Sequence, residues 1–167
     1  MANPRAFISF DFDHNVAEKN LIIGQSKHSK TPFNIEDWSS KEALPQNQWE
    51  KLIKDKINRC HMVIVLVGKH MATATGVAKE IKMAQELNIP IFGVYVGGAN
   101  SSSIFPTGLS SSRTTRWNWD EIASAIDKAM NEGKNAKESL WDYSGIIGIL
   151  GVIGIIVIGI IWGNKKA

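Results

Sequence analysis

Cysteine is almost missing from this chain: Cys60 stands alone among 167 residues. A single thiol excludes an internal disulfide framework and fits a reducing compartment, where Cys60 is most simply a small core residue at the end of a helix. No basic run is present either. The net charge is +3, and the lysines are interspersed with acids, which argues against nucleic acid as a partner. His and Cys residues are too scattered for a metal centre. The opening MANPRAFISF lacks the apolar core of a signal peptide, so the large domain is expected in the cytoplasm. No internal repeat occurs at a useful period.

One long hydrophobic run is present. Gly145 to Trp162 is eighteen residues of Gly, Ile, Leu, Val and one Trp. As a helix it would extend about 27 Å, against a hydrocarbon core of about 30 Å. Trp141, Tyr143 and Trp162 sit where an aromatic belt would, and Lys165 and Lys166 follow as interfacial anchors. A transmembrane helix is therefore expected over 144–163, contacting the lipid bilayer, with a linker at 132–143 and a basic tail at 164–167. Gly145, Gly148, Gly151 and Gly154, with Ser144 and Gly148 as a small-xxx-small pair, leave two readings: close helix packing, or a plain anchor with tolerated glycines.

The rest, residues 1–131, alternates strand and helix patterns. Arg5–Phe10 reads as a first strand running into the acidic loop DFDHN, and Val16–His28 as a helix. Phe33–Asp37 alternates like a second strand, Ser39–Gln48 is a loop, and Trp49 to about Arg59 is amphipathic. Met62–Val67 is six apolar residues without polar alternation, the pattern of a strand buried on both faces of a parallel sheet. Thr73, Thr75 and Gly76 then read as the start of a helix repeating through Val77, Ile81, Ala84 and Leu87. Ile91–Val96 is another continuous apolar strand, Gly97–Arg116 a loop too irregular for an element of its own, and Trp117–Met130 a helix. Alternation with long crossovers predicts a flavodoxin-like α/β domain, a parallel sheet of four or five strands with helices on both faces.

Glu80 falls near the carboxyl end of the central strand, where open α/β sheets bind ligands. Spacing alone leaves two readings: a functional carboxylate, or the commoner first-turn acid that complements the helix dipole or pairs with Lys79 or Lys82 on a wet face. Three familiar sites are absent. The loop after the first strand is acidic and would repel a phosphate; the central strand ends in Val67, Gly68 and Lys69, without a phospho-accepting aspartate; and no spaced-glycine dinucleotide fingerprint occurs.

The segments AFISFDFDHN, PFNIEDWSSKE, CHMVIVLVGKHMATATGVAKEI and NIPIFGVYV, in that order over roughly residues 1–130, together resemble the TIR-like domains of bacterial antiphage systems, closest to the Thoeris ThsB type. The resemblance implies a flavodoxin-like fold and cleavage of the bond between nicotinamide and ribose in NAD, with hydrolysis or cyclisation of the remainder. It implies that NAD is the substrate and that no cofactor is needed. It assigns Glu80 as the catalytic carboxylate. Phe10, Asp11, Asp13, Asp37, Trp38, Gly68 and Thr75 are the expected substrate-binding residues, with loop solvation for the aspartates and core filling for the aromatics as the other reading. His14 and His70 are weaker candidates as proton carriers. Homo-oligomerisation and a separate effector protein are further implications. Two other functions stay open: a membrane effector whose TIR-like domain only senses or assembles, and a catalytically inert adaptor.

Overall fold

The computed structural model describes residues 3–27, 31, 33–38 and 44–136, with the side chains of 36–38 left out. The chain divides into two units, Met1–Gly133 and Lys134–Ala167, and the sheet belongs to the first. Its elements run β1 (Arg5–Ser9), α1 (Val16–Ser26), β2 (Asn34–Trp38), α2 (Gln46–Asn58), β3 (Met62–Val67), α3 (Thr75–Glu86), β4 (Ile91–Tyr95) and β5 (Thr114–Thr115). Residues 119–136 are helical and are called α4. The strands form a five-stranded sheet in the order β2-β1-β3-β4-β5, and every pairing is parallel. This is the flavodoxin-like order, in which the chain winds outward from β1 and then returns across it to β3.

Alternation along buried strands produces two cores. Phe7, Val63, Val65 and Val67 face α2 and α3, packing against Ile53, Ile57, Val77, Ile81 and Ala84. Ala6, Ile8, Met62, Ile64, Leu66 and Val94 face the other way, onto Ile22, Ile122, Ile126 and Ala129. All six residues of β3 are buried, as a central strand covered on both faces requires. Cys60 is buried between α2 and β3, and its thiol donates to the Lys56 carbonyl at 3.5 Å. Between β1 and β2 the register slips at Ala6/Phe7, so that Asp37 and Trp38 lie in β2 opposite Phe7 and Ile8.

Three of the differences from the sequence expectation have a clear local cause. The stretch Gly97–Arg116 is not without elements: a single 3₁₀ turn at Ser111–Arg113 leads into β5, which pairs with Gly93 and Val94. Two threonines in a Gly- and Ser-rich segment carry no periodic signal, and their partner strand makes them a strand. Helix α2 begins at Gln46, three residues ahead of Trp49, because Pro45 supplies an extended entry and its carbonyl accepts from Gln48 and Trp49. Helix α3 starts at Thr75, inside the expected Thr73–Gly76 start, but neither threonine caps it. Thr73 closes a 3₁₀ turn at Met71–Thr73, with its hydroxyl donating to the His70 carbonyl, and Ala74 stands at the cap. The expected membrane span at 144–163 lies outside the described residues, and among those described no helix is long and apolar enough to cross a membrane.

Candidate active site

The sheet reverses its winding between β1 and β3, and both strands end at the same edge. The loop after β1 and the amino-terminal turns of α3 therefore meet there. A cavity of about 420 Å³ opens between them, lined by Phe10, Asp11, Phe12 and Asp13, by Thr73–Val77, Lys79 and Glu80, and by Leu44, Gln46 and Trp49 at the start of α2. Its volume lies within the roughly 300–1,000 Å³ of ordinary ligand pockets. It is not the largest: a cavity of about 690 Å³ lies beside α1 and the end of β4.

Glu80 is at the wall of this cavity and is 1% exposed. The wet-face reading of Glu80 is thereby excluded. Lys79, its neighbour, is the residue that points outward, and it pairs with Glu50 of α2 at 3.1 Å. The reason is helical phase: Glu80 follows Val77 by three residues and precedes Ala84 by four, so it shares their buried stripe. Burying a carboxylate is costly unless donors meet it. One donor is Ser9, fully buried at the end of β1, whose hydroxyl donates to Glu80 Oε2 at 2.5 Å. The bond spans the switch point and joins residues 71 positions apart.

Asp11 has a different task. Its Oδ1 accepts the Asp13 backbone N–H at 3.0 Å, its Oδ2 lies 2.7 Å from His14 Nδ1, and its carbonyl accepts from Asn15 N at 2.8 Å. A short acidic side chain that bonds to the backbone two residues on is a turn-former. Asp11 thus shapes the loop while presenting an edge to the cavity. His14 stacks on His70 with ring centroids 4.0 Å apart, and neither ring lines the cavity.

Of the residues expected from sequence, Phe10, Asp11, Asp13, Thr75 and Glu80 come together around one cavity. Gly68 does not. It is buried behind the site, where a Cβ would stand 2.5 Å from Asn15 Oδ1, so its hydrogen side chain makes room for Asn15 rather than for a ligand. Asp37 and Trp38 are on β2 next to the end of β1, and their side chains lie outside the described residues. Sequence reading missed Ser9 and Trp49. For Ser9 the signal is a lone hydroxyl ending the apolar run AFIS; from sequence Trp49 reads only as part of the amphipathic pattern of α2.

Chemically, the arrangement places one buried, hydrogen-bonded carboxylate together with aromatic rings at the wall of a partly enclosed cavity. Such a group stabilises positive charge developing on a bound molecule. Among the described residues no group of three or more His, Cys, Asp or Glu could hold a metal ion.

The model of the family described as "Thoeris protein ThsB, TIR-like domain" matches residues 7–101, more than half of the chain and every segment that lines the cavity. No curated protein matches. Among solved structures, a crystal structure of a prokaryotic SEFIR domain is similar, with 13% sequence identity, a TM-score of 0.48, and coverage of 78% of this chain and 92% of that one.

Proposed function

The chain belongs to the Thoeris ThsB family of TIR-like domains, and on that footing we propose that it is a NAD-cleaving enzyme of antiphage defence, anchored to the membrane through residues 144–163. The observation that carries the reading is Glu80: an almost wholly buried carboxylate, held by Ser9, at the wall of the switch-point cavity.

The chemistry needs little more than such a carboxylate. When the bond between the ribose carbon and the nicotinamide nitrogen breaks, the electron pair stays with nitrogen, and the cationic pyridinium leaves as a neutral molecule. No general acid is required. The ribose is left as an oxocarbenium-like centre, and Glu80 faces that developing charge. Phe10 and Trp49 supply apolar walls for the planar ring. Attack by water completes hydrolysis; attack by a group of the same nucleotide completes a cyclisation. Subunits brought together in the bilayer would act at high effective concentration, and a separate effector would read a cyclised product.

The test is to incubate the detergent-purified full chain with NAD and follow nicotinamide release and products by mass spectrometry. Glu80→Gln keeps the shape and removes the charge, and turnover is expected to fall at least a hundredfold. Full turnover in the mutant sinks the catalytic assignment. Self-association without nicotinamide release in the wild type supports the adaptor function instead.

A further inference from the structure

We propose that the larger cavity, beside α1 and the end of β4, is a second binding site that takes a ribonucleoside monophosphate. It encloses about 690 Å³, and none of the residues lining it lines the Glu80 cavity. Its walls come from α1, the turn after β4, and Arg116 and Trp117 ahead of α4. It therefore sits at the same carboxyl edge of the sheet, where open α/β folds bind ligands. The proposal does not depend on what Glu80 does.

Three features of the wall match the three parts of a nucleotide. The first is Glu18. Gly97 and Gly98 turn the chain with φ of 57° and 74°, a left-handed conformation natural to glycine. This lets the turn approach the acid so closely that a Cβ on Gly97 would stand 3.2 Å from Glu18 Oε1. The other oxygen, Oε2, is buried and has no hydrogen-bond partner among the described residues. A carboxylate so poorly supplied with donors is a natural receiver for the two hydroxyls of a ribose diol, which deliver two O–H donors to one acid.

The second feature is a flat apolar wall. Trp117 is half-buried, and its Nε1–H donates to Gln25 Oε1 at 3.1 Å, which fixes the plane of the indole. Leu21, on the same helix as Gln25, is 60% exposed at the rim. A side chain of that size left open beside a fixed indole suits a stacked base. Tyr95 adds to this wall, and burial pushes its phenol above the ordinary range, keeping it neutral. The third feature is Arg116. Its side chain is 81% exposed and its guanidinium is steered by the Glu121 carboxylate, leaving donors of its fork toward solvent for a phosphate.

The experiment measures binding of AMP, 2′-deoxy-AMP and adenosine to the full chain in detergent by calorimetry, in the Glu80→Gln background. AMP is expected to bind at least tenfold more tightly than 2′-deoxy-AMP, because only AMP presents a diol to Glu18. Glu18→Gln is expected to weaken AMP about tenfold and to erase its advantage over the deoxy compound. Arg116→Ala, at an exposed position, is expected to weaken AMP and leave adenosine unchanged. The comparison of AMP with 2′-deoxy-AMP needs no variant, so a misfolded Glu18→Gln does not spoil the test. Equal binding of the two nucleotides overturns the proposal. So does no binding of AMP at millimolar concentration, or AMP binding that is lost on Trp49→Ala and untouched by Glu18→Gln.

Discussion

A hydroxyl at the last position of β1 fixes where the Glu80 carboxylate points. Ser9 is small enough to be buried between strand and helix, and its 2.5 Å bond to Oε2 restrains the acid's rotamer. Replacing Ser9 with Ala removes that donor. Stability is expected to fall by about 1–3 kcal/mol, the cost of taking away a buried partner, measured by urea unfolding. NAD turnover is expected to fall about tenfold through kcat with little change in KM, since the substrate's binding surface is intact while its charge-stabilising group is misaligned. An unchanged kcat with lowered stability would leave Ser9 a purely structural residue. Gly68→Ala tests the other correction at this scale. The new Cβ would meet Asn15 Oδ1 at 2.5 Å, so Asn15 must move; a loss of about 1–3 kcal/mol is expected, as for overpacking. If Gly68 touched substrate instead, KM would rise while stability held. Neither residue's role was readable beforehand, because a serine in an apolar strand and a glycine at its end each have several uses. Only the partner across the fold chooses among them.

The elements divide by how much of their identity is local. β3 and β4 were plain in the sequence because a strand covered on both faces must be apolar throughout, and α3 because Val77, Ile81 and Ala84 repeat at helical spacing. The same repeat places Glu80 on the buried stripe, and its lysine neighbours misdirect only if phase is ignored. β5 was invisible, since its two residues are a strand only through their bonds to β4. What secures β5 to α4 is Glu121. Its carboxylate accepts from Thr115 Oγ1 at 2.7 Å and from the Arg116 backbone N–H at 3.1 Å, and it pairs with the Arg116 guanidinium. These donors, the guanidinium first, hold its carboxyl at about 2, below the ordinary 4.5. A carboxylate with a depressed folded value contributes stability above the unfolded value and loses it as the proton returns. The contribution of Glu121 is thus complete above about pH 4.5 and fades as pH falls toward 2. Thermal unfolding of wild type and Glu121→Gln should converge across that window, and high salt should narrow their gap at pH 7, because the pair is exposed. Curves that stay parallel from pH 5 to 2 would refute it.

At the scale of the whole molecule, the α/β architecture followed from alternation alone, while the strand order added where the winding reverses and so where the candidate cavity lies. The proposed anchor acts at this scale too. Cell fractionation of the full chain should place it with membranes, and deletion of 144–163 should release it to the soluble fraction. If neighbouring subunits complete one another's sites, the released protein should lose specific activity on dilution, whereas vesicle-bound full chain should not. Specific activity independent of both concentration and anchoring would remove the case for an oligomeric enzyme.

The bond between Ser9 and Glu80 carries a consequence for biosynthesis. Its two ends are made 71 residues apart, and they can meet only after β3 has emerged and inserted beside β1. A ribosome-bound chain that has not yet produced α3 has no acid to use, and a chain that has produced it but mispaired its strands holds that acid without its positioning hydroxyl. Under the proposed NAD cleavage this is a safeguard written into the topology: the acid gains its positioning hydroxyl only when β1, β3 and α3 have come together, so copies without that arrangement are expected to consume little NAD.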